Sequence, residues 1–367
     1  MKYSAYVIFF LLFGLIPDLY ICLLCLPGIE LWWKLLICLP TLAALVSLVL
    51  IGAGVRYTPS LRLFSYLIFI FEFPKFIFTL FSFASIWVAL ALAAGVSLFF
   101  STLIFYSTRH LKVNEVELSF EGLPEGFRGI RICQLTDFHL GSFGEKAKYI
   151  KRIVDTTLAQ APDIILFTGD LVNFESTEAD SYLEQLGRLS APMGVYAIRG
   201  NHDFLMHGYF NDAQREADTK RLLDMERGLG WNVMLNSNVI LERNGSRIAL
   251  VGVDNISTNP YFLKMGGNLE KASEGLPEGI FTILMSHDPS HWRREVVPET
   301  DIHLTLSGHT HGLGIKTAGL NPAHWKLPES KGIYTRGAQV LHVSKGLGSA
   351  FAFRLGGFPN VDIITLR

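Results

Sequence analysis

Charged side chains are scarce in the first third of this 367-residue sequence. Asp, Glu, Lys and Arg make up 18% of the whole chain, against about 25% in an ordinary soluble domain. The deficit lies at the N-terminal end, whereas the rest of the chain has the mixed composition of a globular domain. This distribution argues against an N-terminal part that folds in water.

The sequence also lacks an excess of positive charge and a framework of cysteines. Its formal net charge is −1, so no strong basic field indicates a nucleic-acid partner, and we expect none. Only four cysteines occur, and no spacing among them indicates disulfides or a zinc knuckle. Such sparse cysteine is typical of a reducing compartment.

What the N-terminal third has instead is long apolar runs. A helix that crosses a bilayer needs about 20 mostly apolar residues. Residues 6–26 and 32–55 meet that length, and residues 63–106 are long enough for two further spans that turn near residues 82–85. We therefore predict a multi-pass transmembrane region over residues 1–108 with about four helices. A cleaved signal peptide is not expected, because the first run is long and others follow it at once.

Charge is expensive inside a membrane span, so Asp18, Glu72 and Lys75 need an explanation. One interpretation is that Asp18, Glu72 and Lys75 form a polar site within the helix bundle. The alternative is that Glu72 and Lys75, one helical turn apart, pair with each other, while Asp18 lies near water beside a kink at Pro17. We favour this alternative.

From Leu111 onward the pattern is that of a soluble domain, which we place at residues 109–367. Strand-like runs alternate with helical segments and then become more frequent, which favours a layered α/β fold. The predicted strands are the runs "LKVNEVELSF", "GIRICQL", "DIILF", "GVYAI", "RIALVGVD", "FTILM", "IHLTLS", "QVLHV" and "VDIITL", and the predicted helices are residues 146–160, 178–189 and 213–227.

Five of these runs end next to a histidine, an aspartate or an asparagine. The residues concerned are Asp137 with His139, Asp170, Asn201 with His202, His287, and His309 with His311. Loops that leave one end of an open α/β sheet converge on a common crevice. Because side chains two apart in an extended segment point the same way, each D-x-H or H-x-H pair is expected to present two donors to one cavity. Flanking glycines that permit tight turns are Gly169, Gly200, Gly308 and Gly312.

The donor types in this set favour a metal centre. Alone, the pair His309 and His311 is more readily explained as two surface histidines after a strand. Together the loops supply two carboxylates, one amide and four histidines but no thiolate, which suits zinc, manganese or iron. A single aspartate can bridge two such ions about 3.5–4 Å apart, the separation used in two-metal phosphoryl chemistry.

The ordered motifs D-x-H, GD, GNHD, H and GHTH resemble those of the calcineurin-like metallophosphoesterase superfamily over residues 110–367. The tail "VSKGLGSAFAFRLGGFPNVDIITL" is similar to that of its membrane-associated bacterial branch. The resemblance implies a layered α/β/β/α sandwich, here preceded by the transmembrane helices. It also implies a phosphoesterase that uses two divalent metal ions.

The resemblance assigns a role to each matched position. Asp137, His139, Asp170 and His311 would bind one ion, and Asp170, Asn201, His287 and His309 would bind the other. His202 would be the acid or the phosphate-stabilising histidine, and Asp203 would orient it. Departures from the family pattern fall around the substrate pocket, at Leu313, at Phe351-Ala352 and at Pro359-Asn360-Val361.

Several other residues have two interpretations. His207 and Arg354 are pocket candidates, but a surface position explains each as well. Phe351, Phe353 and Phe358 can form an apolar rim, although packing within the domain is the simpler explanation. The remaining histidines, His110, His291, His303, His324 and His342, are expected to be surface or core residues.

The predicted function is hydrolysis of a phosphomonoester, a phosphodiester or a pyrophosphate bond by a membrane-anchored enzyme. A lipid-linked substrate is favoured, because only a few residues join the last span to the first strand and limit the distance from the bilayer. The alternative is a non-catalytic scaffold, or a regulatory domain on a transporter or channel bundle. The excess of basic residues on the side of both termini predicts a multi-pass protein of the cell (inner) membrane with a cytoplasmic catalytic domain.

Overall fold

The computed structural model describes residues 3–55, 57–107, 110–144, 147–206, 211–257, 265–312, 328–349 and 358–367. These residues form two compact units, one up to residue 107 and one from residue 110 onward.

The first unit contains four helical spans that are long and apolar enough to cross a membrane. Spans 1 to 4 are Ser4–Cys25, Leu31–Gly52, Tyr57–Phe81 and Ile86–Tyr106. Their number and the turn between the last two agree with the prediction from the sequence. Span 3 begins at Tyr57, six residues before the predicted start at Leu63. The added residues are more polar than the rest of the span, but they belong to the same helix.

Within the spans, α-helices alternate with short π-helical stretches. The α-helices are α1 (Tyr3–Phe10), α2 (Ile16–Tyr20), α3 (Leu31–Gly52), α4 (Tyr57–Leu67), α5 (Phe73–Phe81) and α6 (Ile86–Thr102), and the π-helical stretches are Leu11–Leu15, Ile21–Cys25, Ile68–Glu72 and Leu103–Ser107. Two of these stretches directly precede a helix with proline in its first turn, Pro17 in α2 and Pro74 in α5. Proline has no N–H to donate, so the preceding turn can widen there at little cost.

Three ionisable residues of the spans, Asp18, Glu72 and Lys75, meet in the interior of the bundle. Asp18 is 4% exposed, and its carboxylate lies 2.5 Å from the ammonium of Lys75. Lys75 also pairs with Glu72, as the favoured interpretation predicted. The predicted place of Asp18 near water is wrong, because the carboxylate is bonded inside the protein. We call Asp18, Thr41, Glu72 and Lys75 the bundle cluster.

The second unit is built on two six-stranded sheets. Its strands are β1 (Lys112–Leu118), β2 (Arg131–Leu135), β3 (Ile164–Phe167), β4 (Val195–Ala197), β5 (Asn232–Val233), β6 (Ser237–Arg243), β7 (Ser246–Gly252), β8 (Thr282–Met285), β9 (Leu304–Ser307), β10 (Gly332–Arg336), β11 (Gln339–Val343) and β12 (Asn360–Leu366). The strand order is β1-β12-β2-β3-β4-β5 in the first sheet and β10-β11-β9-β8-β7-β6 in the second. Strands β2 to β5 are parallel, as are β7 to β9.

Three apolar layers separate the sheets and the helices. One lies between the first sheet and helices α7 (Ala147–Ala159), α8 (Leu183–Leu186) and α9 (Asp212–Gly228). A second lies between the two sheets, where Ile132 and Leu166 share a cluster with Leu250 and Leu306. The third lies between the second sheet and helices α10 (Leu269–Ala272) and α11 (Val297–Glu299). This arrangement is the α/β/β/α sandwich that the family resemblance implied, and it agrees with the layered α/β fold predicted from the sequence pattern.

The strands that sequence reasoning missed lie at sheet edges. β5 has only two residues, and β6 and β10 are the two edges of the second sheet. Edge strands face water on more sides, so their apolar alternation is weak. The predicted helix 178–189 is mostly a 3₁₀ segment, Ser176–Tyr182, followed by the single turn of α8.

Candidate metal centre

The loops after β2, β3, β4, β8 and β9 bring together all seven predicted metal ligands. β2, β3 and β4 are neighbours in the first sheet and β8 and β9 are neighbours in the second, so their carboxyl ends meet at one edge of the sandwich. Five of the ligand candidates are buried, and the side chains of His309 and His311 are 21% and 14% exposed. The five buried residues are Asp137, His139, Asp170, Asn201 and His287.

Three overlapping groups of side chains in this centre have the spacing of metal ligands. Within each group the ligand atoms all lie within 4.8 Å of one another. The groups are Asp137 with His139 and His311, His139 with Asp170 and His202, and Asp170 with His287 and His309. Asn201 joins the third group, because its Oδ1 lies 2.8 Å from Nδ1 of His309.

Asp170 lies between the groups. Its Oδ2 is 3.5 Å from Nε2 of His139 and 3.1 Å from Nε2 of His287. Its Oδ1 accepts a hydrogen bond of 2.8 Å from the backbone N–H of His202. One carboxylate oxygen therefore faces two histidines that belong to different groups.

Asp137 ties the first and last loops of the centre together. Its Oδ1 lies 3.8 Å from Nε2 of His139 and 3.7 Å from Nε2 of His311. The backbone N–H of His309 points to both carboxylate oxygens, at 3.2 and 3.1 Å. The D-x-H and H-x-H pairs thus converge on one place, as predicted.

The local conformation that achieves this convergence differs from the predicted extended one. Five candidate ligands have positive φ angles, namely Asp137 (52°), His139 (47°), Asp170 (62°), His309 (71°) and His311 (51°). Left-handed backbone is uncommon for residues with a Cβ and is strained. The pairs therefore turn their side chains inward through strained turns after the strands, and not through the period of a strand.

Glycines allow backbone to pass close to both aspartates. A Cβ on Gly200 would lie 2.2 Å from Oδ1 of Asp170, and a Cβ on Gly308 would lie 2.4 Å from Oδ2 of Asp137. Gly346, in the tail, is equally close, since its Cβ would lie 2.6 Å from Cβ of Asp137. Any side chain at these positions would displace a carboxylate of the centre.

Buried ring nitrogens without partners indicate that the centre fits metal ions. Neither ring nitrogen of His139 has a hydrogen-bond partner among the described residues, and the same holds for Nε2 of His287. Nδ1 of His287 lies 2.7 Å from the carbonyl oxygen of Thr168, so Nδ1 carries a proton and Nε2 is the ring nitrogen that faces Asp170 and the centre. A buried polar atom without a partner costs about 1–3 kcal/mol. Divalent ions would satisfy these atoms, and a carbonyl behind the histidine is the usual support of such a ligand.

The charges of the centre call for a positive partner. Burial alone would raise the pKa of Asp170, but the adjacent His287 and His202 hold it well below its ordinary value. Burial likewise opposes ionisation of Asp137, yet His311 and His139 keep its pKa below the usual range. Burial would lower the pKa of His287, but the charge of Asp170 raises it to about 10. Two ionised aspartates in a buried pocket are suited to bind cations.

His202 lies beside the ligand candidates with its ring fixed by backbone. Its Nδ1 is 2.7 Å from the carbonyl oxygen of Asn173, which assigns the proton to Nδ1. Its ring packs edge-on against that of His139, with the centroids 4.8 Å apart. A ring nitrogen of His202 also lies within 4.8 Å of the ligand atoms of His139 and Asp170.

Asp203 was predicted to orient the His202 ring, but its carboxylate accepts hydrogen bonds from backbone instead. The carboxylate of Asp203 accepts hydrogen bonds from the backbone N–H groups of Asp170 (2.7 Å), Leu171 (2.8 Å) and Gly200 (2.9 Å). Burial raises the pKa of Asp203 to about 6, against these hydrogen bonds. Asp203 therefore fixes the loop of Asp170, and the carbonyl of Asn173 fixes the His202 ring.

Two carboxylates that support the centre were missed from the sequence. Glu178 accepts from the backbone N–H groups of Asn173 (2.6 Å) and Gly141 (3.1 Å), and so holds the loop whose carbonyl orients His202. Asp288 lies 3.9 Å from Nε2 of His309 and accepts a hydrogen bond of 2.6 Å from Ser257. The position of Asp288 next to His287 was a usable signal, whereas a backbone carbonyl leaves none.

Other predicted residues lie away from the centre or outside the described residues. His291 and His342 are buried in the core, and His110 packs beside the ring of Phe358. Nζ of Lys112 lies over the same ring, 4.7 Å from its centroid, so Phe358 packs within the domain. The predictions for His207, Leu313, His324, Phe351, Ala352, Phe353 and Arg354 lie outside the described residues.

Comparison with known proteins identifies similar chains. The chain is 31% identical over 204 residues to a transmembrane protein with metallophosphoesterase domain from Danio rerio, a match that covers 54% of this chain and 44% of that protein. The protein of the same name from Bos taurus is 30% identical over 262 residues, or 70% of this chain and 57% of the relative. The chain thus spans about half the length of these two relatives. The uncharacterized metallophosphoesterase YkuE of Bacillus subtilis (strain 168) is 29% identical over 256 residues, which cover 67% of this chain and 82% of YkuE.

The model of the calcineurin-like phosphoesterase family matches residues 130–313, half of the chain. The matched stretch begins one residue before β2 and ends two residues after His311, so it contains all five loops of the centre. The similarity therefore concerns the centre itself as well as the sheets around it, and the chain belongs to the calcineurin-like phosphoesterase family.

Proposed function

We propose that this chain is a membrane-anchored phosphoesterase that depends on two divalent metal ions. The observation that carries the proposal is the position of Asp170, one oxygen of which faces His139 on one side and His287 on the other. A carboxylate so placed can bridge two ions, and bridged ions are the usual arrangement in two-metal phosphoryl chemistry.

The seven ligand candidates form two sets that share Asp170, one set for each ion. Asp137, His139, Asp170 and His311 would hold the first ion, and Asp170, Asn201, His287 and His309 would hold the second. All donors are imidazole nitrogens or oxygens, which favours manganese, zinc or iron. For the second ion, the carbonyl of Thr168 accepts the Nδ1 proton of His287, so Nε2 is the atom that would bind the metal in place of its proton.

Metal ions bound there would lower the pKa of a shared water and neutralise the phosphoryl oxygens. The protein contributes the positions of the groups around them. The N–H of His202 holds Oδ1 of Asp170, and the carboxylate of Asp203 holds the backbone of the same loop. Because these contacts exist before substrate arrives, little reorganisation is needed during the reaction.

His202 is the proposed acid for the leaving oxygen. The carbonyl of Asn173 accepts the proton of Nδ1, so in the imidazolium form Nε2 carries the second proton toward the centre. Transfer of that proton to the departing oxygen would leave a neutral imidazole that is still held by Asn173. General acid catalysis of this kind contributes about 10²–10⁴-fold to a rate.

The membrane spans favour a substrate that is itself amphiphilic. The four spans would confine the protein to the bilayer, and a lipid-linked phosphodiester or pyrophosphate would be concentrated there. We therefore propose a lipid-linked phosphoester as the substrate and the cytoplasmic face of the inner membrane as the site of the reaction.

Hydrolysis of a nitrophenyl phosphodiester by the purified full-length protein tests the enzymatic proposal. Activity should require added Mn²⁺ or Zn²⁺, and Asp170→Asn should abolish it. Asp224→Asn is a matched control, because Asp224 is an exposed carboxylate on α9. Metal-loaded wild-type protein without activity on monoesters, diesters and pyrophosphates alike would favour the scaffold alternative.

The same preparation tests the substrate class. In mixed detergent micelles, a lipid-linked diester should be hydrolysed with a higher kcat/KM than a soluble diester with the same leaving group. Equal efficiency on both would remove the reason to favour lipids while leaving the phosphoesterase proposal intact.

A further inference from the structure

The bundle cluster is a compact polar site in the interior of the membrane spans. Asp18 lies on span 1, Thr41 on span 2, and Glu72 and Lys75 on span 3. The ammonium Nζ of Lys75 lies 2.5 Å from Oδ1 of Asp18, 2.7 Å from Oε2 of Glu72 and 2.9 Å from Oγ1 of Thr41. The ammonium is therefore at the centre of the cluster and is surrounded by oxygen.

The charges of these residues do not add up to zero when all of them are ionised. Two carboxylates face one ammonium, and among the described residues no second cation contacts either carboxylate. The other titratable groups close by are the thiols of Cys22 and Cys38, which lie 3.9 Å apart and add no positive charge. If Asp18, Glu72 and Lys75 were all charged, the interior of the bundle would hold one uncompensated negative charge. Such a charge is strongly disfavoured among membrane helices.

The hydrogen bonds distinguish the two carboxylates. Both oxygens of Asp18 are engaged, Oδ1 by Lys75 and Oδ2 by the hydroxyl of Thr41 at 2.5 Å. Glu72 is fully buried, and its Oε2 lies 2.7 Å from Nζ of Lys75 and 3.0 Å from Oγ1 of Thr41, but its Oε1 has no hydrogen-bond partner among the described residues. The ionised form therefore suits Asp18, which has a partner at both oxygens, better than Glu72, which has partners at one oxygen only.

We propose that the bundle cluster is an intramembrane proton-binding site, with the proton on the carboxyl of Glu72. The proton adds one positive charge, so the ion pair of Asp18 and Lys75 and the neutral acid of Glu72 together carry none. A metal ion is the other source of a positive charge, but it requires several oxygen ligands around one point. The Lys75 ammonium already occupies that point.

The site gives the bundle a property beyond anchoring. Acidic side chains that face the interior of a membrane bundle are the usual carriers of bound protons in membrane proteins. All three titratable members of the cluster are largely enclosed, with side-chain exposures of 15% for Lys75, 5% for Asp18 and 0% for Glu72. The proposal does not depend on the phosphoesterase activity of the second unit.

Infrared spectroscopy of the full-length protein in lipid bilayers tests the proposal. A protonated carboxylic acid has a carbonyl stretching band that a carboxylate lacks. At neutral pH the wild-type protein should have one such acid in the cluster, and Glu72→Gln should remove its band. Ser47→Ala is the matched control, because it removes a buried hydroxyl of span 2 that is bonded to the carbonyl of Ala43 and lies outside the cluster, and it should keep the band.

Charge counting makes two further outcomes specific. Asp18→Asn should also remove the band, although it leaves Glu72 in place, because Glu72 and Lys75 then balance as an ion pair. Lys75→Met should double the band, because two carboxylates then lack a cation. The expected number of protons in the cluster is thus none in Glu72→Gln, none in Asp18→Asn and two in Lys75→Met. A purely structural role of the same residues would not produce this pattern.

Several results would overturn the proposal. A wild-type spectrum that is identical to that of Glu72→Gln would mean that Glu72 is ionised. A band that survives in Asp18→Asn would refute the charge balance. A band that disappears when Na⁺ is added to a sodium-free sample would assign the site to a metal ion. Circular dichroism and gel filtration identify any variant that fails to fold, and the outcomes for the remaining variants still decide the question.

Discussion

The backbone N–H of His202 donates a hydrogen bond of 2.8 Å to Oδ1 of Asp170. This bond joins the proposed acid to the proposed bridging carboxylate through the main chain and not through the imidazole ring. The side chain of His202 can therefore be removed without loss of the contact that orients Asp170. The two roles, metal binding and proton transfer, are separable by mutation.

We expect the full-length protein to bind two divalent ions per chain under saturating Mn²⁺ or Zn²⁺. Asp170→Asn should reduce tight binding at both positions, because the same oxygen faces both groups. His139→Ala should chiefly weaken one position. Elemental analysis after gel filtration measures the metal content, with Asp224→Asn as the control. No more than one tightly bound ion in the wild type would contradict the dinuclear proposal.

Replacement of His202 by alanine should lower turnover by about 10²–10⁴-fold on substrates with a poor leaving group. The metal content should remain near that of the wild type, because the N–H bond to Asp170 is retained. The loss should be smaller for a nitrophenyl ester, whose leaving oxygen needs little protonation. Paired kinetics on alkyl and nitrophenyl esters measure the difference. An equal loss on both would assign His202 to phosphate binding instead.

Gly200→Ala should damage the centre although alanine adds only one methyl group. Its Cβ would lie 2.2 Å from Oδ1 of Asp170, so the carboxylate must move and both metal positions change. Gly228→Ala is the matched control, since a Cβ at Gly228 meets nothing within 4 Å. We expect a loss of bound metal and of activity in the first variant and neither in the second. Unchanged metal content in Gly200→Ala would mean that the Asp170 loop is less tightly constrained than its contacts indicate.

The seven ligand positions were predictable because each is a chemically distinctive side chain at the end of a strand. Their backbone conformation was not predictable, since the residue type alone does not determine the positive φ angle of Asp137 or His309. The contact of the His202 ring with Asn173 was hidden for another reason: it uses a carbonyl, which every residue has. The prediction for Asp18 was wrong because its burial beside Lys75 depends on how three helices pack. The spacing of residues within one span carries no information about packing between spans.

A pH dependence of stability should arise from Glu226. Burial, and then the charge of Asp203, raise its pKa well above its ordinary value of 4.5, and neither carboxylate oxygen has a hydrogen-bond partner among the described residues. The folded state therefore keeps the proton in a pH range where the unfolded state has lost it. In that range, above about pH 4.5, Glu226 reduces the free energy of unfolding by about 1.4 kcal/mol per pH unit until its folded pKa is reached.

Comparison of Glu226→Gln with the wild type measures this effect, because glutamine stays neutral at every pH. The stability difference between the two should shift in favour of the variant as pH rises from 5 toward 8. Thermal unfolding of the full-length protein at several pH values, followed by tryptophan fluorescence, provides the measurement. Glu274→Gln, at an exposed position, should track the wild type. Parallel pH profiles for wild type and Glu226→Gln would show that Glu226 is ionised in the fold.

The last prediction concerns the side of the membrane. Four spans place the residues before span 1 and those after span 4 on the same side. The basic residues of that side are Lys2, Arg56, Arg62, Arg109 and Lys112. On the opposite side Lys34 remains, because Lys75 is engaged inside the bundle cluster and does not belong to a loop.

The side with more lysine and arginine near the span ends is normally cytoplasmic, so the second unit is expected in the cytoplasm. In a bacterial host, protease added to sealed spheroplasts should leave that unit intact. The same protease added to inverted vesicles should release it. A periplasmic protein and a cytoplasmic protein serve as internal controls for sealing. Release of the second unit from intact spheroplasts would place it outside and would also move the proposed substrate to the outer face of the membrane.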